Sequence, residues 1–274
     1  MSGIGIAVQG NNRGGEPITG LRDTIERMAE IGFSHVELGA KTLFVSIAGQ
    51  VHPKRLEILR GELDGAPVRF TLHGTGVSSE RAGNLVDVTS TAQRRVTEAD
   101  VALAGAIGAE VLVHHSGMLR DVYGDDDALA AGLRAERDAL RALGDEAGQL
   151  GVRVAVENID PVGRYVARRG YGLRLDRLAN QVVAIDHPQI GICLDVGHAY
   201  LASRYVGFDY LAAIREIAPL VTHLHISDNL GRTQLDADAD STENLALGDG
   251  DLHLPPGWGA VSYTHLTLPT KRIV

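Results

Sequence analysis

Apolar and polar positions along this chain follow two rhythms. Short apolar runs recur, and between them lie longer stretches whose apolar residues return every three or four positions. The short runs read as buried parallel strands, expected over residues 4–9, 35–38, 68–72, 111–113, 152–156, 190–194 and 221–224. The longer stretches read as helices with one apolar face. Leu21, Ile25 and Met28 mark such a face, stopped near Gly32. Residues 52–63 form the next helix, with Pro53 suited to its first turn. Others are expected over about 94–107, within 173–185 and over 208–217. A long one follows Leu129, Leu133, Leu140, Leu143 and Leu150 to Gly151. Strand and helix alternate without an interdomain linker. That order predicts an α/β fold, a (β/α)₈ TIM barrel of which about seven strands are present.

Most of these apolar runs stop at an acid or a histidine. They end at His73, His114, Glu157, Asp195 (with His198 three residues on) and His225. In a barrel the C-terminal ends of all strands meet on one face, so five strands would aim these side chains at one point. Carboxylate oxygens and imidazoles gathered this way suit a divalent cation. Glu157 ends a strongly apolar strand, where a carboxylate needs a cation, a donor network or an arginine partner. Asp195 could instead begin a turn. His73 could be a neutral imidazole against substrate hydroxyls. Of the adjacent His114 and His115 only one can face the axis. His223 is expected to point away from His225, packed between sheet and helix. Glu37 ends the second strand, reaching either the substrate or a solvated rim. Asp228 would bind substrate or orient its loop.

Residues 231–251 are acidic and polar, and read as a long loop on the active-site face. The arginine-rich run 163–169 reads as a solvated loop, with contact to an anionic group of a substrate as the alternative. Asp125, Asp126 and Asp127 read as charge at a helix N-terminus, and Trp258 as packing.

Bulk properties narrow the partners. The chain has 274 residues, 44% hydrophobic and 22% charged, with a formal net charge of −9. An acidic balance gives no broad attraction to phosphate backbones or anionic membranes. The single cysteine, Cys193, excludes a disulfide framework and reads as a small buried strand residue. The N-terminus lacks the pattern of a secretion signal, and no apolar run nears the ~20 residues that cross a bilayer. A cytoplasmic location is expected. After Trp258 too little chain remains for the last units of a closed barrel, and 261–274 has no helical period. The domain is therefore expected over 1–260, with 261–274 a foreign tail and the gene continuing beyond about Val261.

Six motifs occur in order: Thr71-Leu72-His73-Gly74, Val113-His114, Val156-Glu157-Asn158, Cys193-Leu194-Asp195-Val196-Gly197-His198, His225-Ile226-Ser227-Asp228 and Leu247-Gly248-Asp249-Gly250. Together they resemble the xylose isomerase-like TIM-barrel superfamily, which holds sugar isomerases, ketose 3-epimerases, inosose dehydratase-like enzymes and endonuclease IV. The resemblance runs from about Ile4 to about Trp258. It implies a metal held by Glu157, Asp195 and His225; a fourth ligand, a Glu on the eighth strand, has no counterpart here. It implies Mn, Mg, Co or Zn as the cofactor and a sugar or polyol as the partner; the acidic balance speaks against nucleic acid and a membrane as partners, and a homo-oligomer stays open. The implied activity is isomerisation or epimerisation by proton transfer beside a metal-bound carbonyl. Glu157 would move the proton, and His198, His73, His114, Glu37 and Asp228 would contact substrate. His73, His114 and His198 also match zinc ligands of endonuclease IV, so a zinc-dependent abasic-site endonuclease is an alternative. Where that enzyme needs an Asp and a His, this chain has Thr242 and Asn244, poor zinc ligands. A barrel that binds a metabolite without catalysis is the third reading.

Overall fold

The computed structural model describes residues 3–8, 18–75, 88, 90–117, 126–161, 170–234 and 241–263, without the side chains of 241–243. In chain order it shows β1 (Gly5–Val8), α1 (Leu21–Ile31), β2 (His35–Gly39), α2 (Ala40–Leu43), β3 (Ser46–Ile47), β4 (Gln50–Val51), α3 (Pro53–Leu63) and β5 (Arg69–His73). Then come α4 (Thr91–Ala106), β6 (Ala109–His115), α5 (Asp126–Gln149), β7 (Arg153–Glu157), α6 (Leu175–Ile185) and β8 (Ile190–Asp195). The last are α7 (Val196–Val206), α8 (Tyr210–Ile217), β9 (Val221–His225) and α9 (Ser241–Leu247).

Seven strands pair in parallel in the order β1-β2-β5-β6-β7-β8-β9. The sheet is strongly curled, because Glu37 on β2 touches His223 and His225 on β9, near the opposite ends of that order. Every one of the seven expected strands is present, and the alternation with helices is that of a TIM barrel. Among the described residues β1 pairs only with β2, and β9 only with β8. No described helix is long and apolar enough to cross a membrane.

Local chemistry explains the element ends. Helix α1 stops at Gly32, whose φ of 110° is open to glycine and strained for other residues. Pro53 opens α3 as its first residue. Asp126 and Asp127 lie in the first turn of α5. Asp125 and the run 163–169 lie outside the described residues.

Three elements depart from the sequence reading. Helix α7 follows β8 directly, where no helix was expected. Asp195 caps it by accepting the His198 N–H at 2.8 Å, and Gly207 ends it at φ 83°. The polar stretch 231–251 contains α9 rather than being loop throughout. A small antiparallel hairpin, β3–β4, turns through Ala48 and Gly49, both at positive φ. Residues 261–263 are held against the barrel: Val261 is buried, its N–H donates to Asp228 Oδ1 at 3.0 Å, and Tyr263 Oη donates to the Ser227 carbonyl at 3.0 Å.

The core lies between the sheet and its helices, and includes Leu38, Leu72, Leu112, Val156 and Leu194 on strands and Ile25, Leu59, Leu103, Leu140 and Leu178 on helices. A smaller cluster, Val113, Ala155 and Cys193, fills the inner face of the curl as a fully buried floor. Burial pushes the Cys193 thiol up to about 12, so it stays protonated, as a small packing residue would.

Candidate metal centre

Strand parity selects the side chains that meet above this floor. Residues paired across a parallel sheet point the same way, and the face alternates along each strand. Glu37 pairs with Thr71, His115 with Glu157, Glu157 with Cys193, and Asp195 with His225. All of these side chains face into the curl.

Glu157 is the hub. It is 1% exposed. His225 Nδ1 donates to its Oε1 at 2.7 Å, and His115 Nε2 and His73 Nε2 stand 3.0 and 3.6 Å from its Oε2. Burial alone would raise this carboxyl. The imidazoles of His225 and His115 outweigh burial and hold it well below the usual carboxylate range. His225 responds in kind: burial opposes its charge, but Cys193, Glu157 and Glu37 raise it well above the usual histidine range.

The acids continue along the strand ends. Asn158 ties β7 to β8: its Oδ1 accepts the Asp195 N–H at 2.8 Å, and its Nδ2 donates to the Asp195 carbonyl at 2.9 Å. Its own carbonyl lies 2.9 Å from His198 Nδ1. A carbonyl only accepts, so His198 carries a hydrogen on Nδ1 and turns Nε2 toward Asp195 Oδ2 (3.9 Å) and Asp251 Oδ2 (3.2 Å). A side chain on Gly197 would place its Cβ 2.5 Å from Ser227 Oγ, so glycine there keeps the end of β9 close to α7. Three overlapping groups have the spacing to hold a metal ion: Glu157 with Asp195 and His198, Glu157 with His73 and His225, and Glu37 with His223 and His225.

Glu157, Asp195, His198, His225, His73 and Glu37 are thus brought together, and Glu37 lies buried in the cluster rather than on a solvated rim. Four expectations are corrected. His115, not His114, joins the cluster; His114 pairs with Val156 and faces the helices. Burial pushes its imidazole down to about 4, leaving a neutral packed residue. His223 lies two residues from His225, and a period of two puts both on the same face, so it points inward to Glu37 rather than outward to a helix. Asp228 is fully buried: its carboxylate accepts the N–H groups of Asn229, Gly257, Gly259 and Val261 at 2.9–3.0 Å and so orients the loop, the other of its two expected roles. Trp258 is exposed rather than packed.

Sequence reading missed Asp251, which sits between His198 and His253, with His253 Nδ1 at 3.1 Å. It comes from a stretch without period. The signal for it was adjacency to the Leu247-Gly248-Asp249-Gly250 motif. Thr242 lies where side chains are not described, and Asn244 donates to Gln234 at 2.7 Å.

The model of the xylose isomerase-like TIM barrel family matches residues 25–268, and the chain belongs to that family. The chain is 23% identical over 234 residues to the uncharacterized protein MJ1311 of Methanocaldococcus jannaschii, covering 85% of this chain and 72% of that one. Its fold is similar to that of a D-tagatose 3-epimerase-like protein, with a TM-score of 0.64 at 19% identity, covering 97% of this chain and 85% of the other. It is also similar to the 3-keto-D-glucoside 4-epimerase YcjR of E. coli, with a TM-score of 0.59 at 17% identity, covering 90% and 89%.

Proposed function

We propose that this protein is a divalent-metal-dependent sugar or polyol isomerase or epimerase. The observation that carries the reading is the convergence of Glu157, Asp195, His198 and His225 in one buried cluster above an apolar floor. The donor set fits a divalent cation: buried carboxylate oxygens of Glu157 and Asp195 beside the imidazoles of His198 and His225. Glu157, Asp195 and His225 would hold the ion, with His198 at the edge. A bound divalent cation supplies Lewis-acid polarisation of a carbonyl. Glu157, kept ionised by its imidazoles, takes the proton from the carbon next to the substrate carbonyl. His198 and His73 orient substrate hydroxyls, and His115 braces Glu157. The epimerase names of the two solved relatives support a sugar as substrate class, while the identities of 17–19% carry the fold alone. The test is metal analysis of the purified full chain, with turnover of ketose and polyol substrates before and after chelation. Metal-restored turnover is expected; a protein that holds no metal and gains no turnover from any would end the reading.

One observation favours a second reading. His73 and His115 stand beside Glu157, where a second zinc would be held in an endonuclease IV-like enzyme. The net charge of −9 and Asn244 oppose it. Nicking of an abasic-site duplex would establish that reading, and its absence under zinc saturation would remove it.

A further inference from the structure

A second concavity lies among the helices, outside the curl of the sheet. It is a cleft of about 610 Å³ between α5, α6 and the end of α7, a size ordinary for a small-molecule site. Among the described residues, no member of the metal cluster lines it. A single turn, Tyr171–Leu173, forms its wall on the barrel side. That turn lies tight on the strand ends: the Gly172 carbonyl accepts the Ile159 N–H at 3.2 Å, and a Cβ on Gly172 would collide with Ser116.

The lining is apolar and basic, in a chain of net charge −9. Leu129, Leu133, Leu173 and Val206 give the apolar part, and Tyr205, 39% exposed, adds an aromatic face. Arg137, Arg174 and Arg177 stand against one acid, Asp126. Arg174 is already engaged, its Nε and Nη2 each 3.0 Å from an oxygen of Asp176. Arg177 is exposed, and its guanidinium bonds to no described residue. Arg137 is held from beneath. Glu136 is 0% exposed and accepts from Gln181 Nε2 at 2.8 Å, and the same Nε2 donates to the Leu133 carbonyl at 3.0 Å. Both partners only accept, so the Gln181 amide turns its oxygen the other way, where it accepts from Arg137 Nε at 2.8 Å. Burying a carboxylate is costly unless donors meet it. Here the chain of donors ends at an arginine on the cleft. With Nε engaged, both terminal nitrogens of Arg137 are left for a ligand.

We infer that this cleft binds a small phosphate monoester with an apolar body, its phosphate gripped by Arg137 and Arg177. The inference does not rest on the metal-dependent reading. A guanidinium fork takes two oxygens of one anion. A phosphate offers three terminal oxygens and so serves two forks, where a carboxylate is filled by one. The leucines and Tyr205 cover the apolar body.

The test is isothermal titration calorimetry of the full chain with phenyl phosphate, benzoate, phenol and inorganic phosphate. A chelator is present, so that no bound cation attracts the anion. Phenyl phosphate should bind one-to-one and more tightly than the other three. Arg177→Gln changes an exposed side chain, and Arg137→Lys keeps the charge and loses the fork; each should weaken phenyl phosphate about 10- to 100-fold. Glu157→Gln should leave its affinity unchanged. No binding of phenyl phosphate by the wild type would overturn the inference. So would unchanged affinity in a folded Arg177→Gln, or any of the other three compounds bound as tightly as phenyl phosphate. A loss confined to Glu157→Gln would also overturn it, by placing the anion in the metal centre.

Discussion

Strands β8 and β9 lie side by side and both contribute to the candidate metal centre, yet they are built under opposite conditions. All six residues of β8 are buried, whereas no residue of β9 is. One row makes the contrast direct. Leu194 and Leu224 pair across the two strands and share the outward face, but one is 2% and the other 42% exposed. Strand β8 has a neighbour on each side and helices behind it; β9 has one described neighbour. The row above carries Asp195 and His225 on the inner face. The carboxylates Glu157 and Asp195 thus come from the doubly flanked middle of the sheet, where desolvation is strongest. The histidines that neutralise them come partly from its half-open side. A carboxylate buried that deeply persists as an anion only because imidazoles meet it, so the two regions depend on each other.

The largest expected effect breaks the centre itself. On the proposed function, Glu157→Gln keeps the shape and removes the proposed base, and kcat/KM for a sugar or polyol substrate should fall about 10²- to 10⁴-fold. Steady-state kinetics read this directly, and a loss of less than tenfold would move the chemistry elsewhere. Next comes the matched pair of leucines. Leu194→Ala should cost about 2–5 kcal/mol of unfolding free energy, as cavities in cores do. Leu224→Ala should cost less than about 1 kcal/mol, because solvent already reaches it. Urea denaturation of both variants measures the gap, and equal losses would erase the contrast between the strands.

A third prediction compares Glu157 with a buried carboxyl that has no imidazole hydrogen-bonded to it. Asp100 on α4 accepts the Thr75 N–H and hydroxyl at 2.6 and 2.9 Å, and burial pushes it up to about 6. Its folded value lies above the unfolded value of 3.8, so the folded state binds more protons between the two. Stability from this group is then lost as pH rises from about 4 to about 6 and is flat above, on the order of 3 kcal/mol in all. Asp100→Asn should remove that slope, read as the difference between wild-type and variant denaturation midpoints at pH 4.5 and 7. A variant that keeps the wild-type slope would refute it. The smallest effect lies at the entry to β9. Asp209 caps α8 by accepting the Ala212 N–H at 2.9 Å, and Asp209→Ala should cost about 1 kcal/mol by thermal melting. The same change at Asp195 should cost more, since that residue also faces the candidate metal centre.

Much of the site was legible because a strand's end and its chemistry coincide in sequence. Glu157, Asp195 and His225 stand where apolar runs stop, and the runs were strong enough to place all seven strands. The errors fall where a local pattern leaves facing undecided. The run 111–113 is shorter than strand β6, which extends to His115, and only the pairing of His115 with Glu157 shows which of the two histidines faces inward. Helix α7 was not expected because it begins at the residue after β8, with no loop between them and only Asp195 as its start signal. Asp228 resembled a substrate contact because its partners, the N–H groups of residues 257–261, are backbone and leave no trace in composition.

By itself the sequence determined the class of fold, the order of the strands and which acids and histidines stand at their ends. Each of these depends on short-range periodicity and on which residues end an apolar run. Only the tertiary structure decided that His115 replaces His114, that His223 turns inward, that Asp251 meets His198 and that Glu37 stands behind His225. Those are contacts between residues far apart in the chain, 186 positions in the case of Glu37 and His223. The curl of the sheet brings them together, and no local pattern along the chain encodes the angle of that curl.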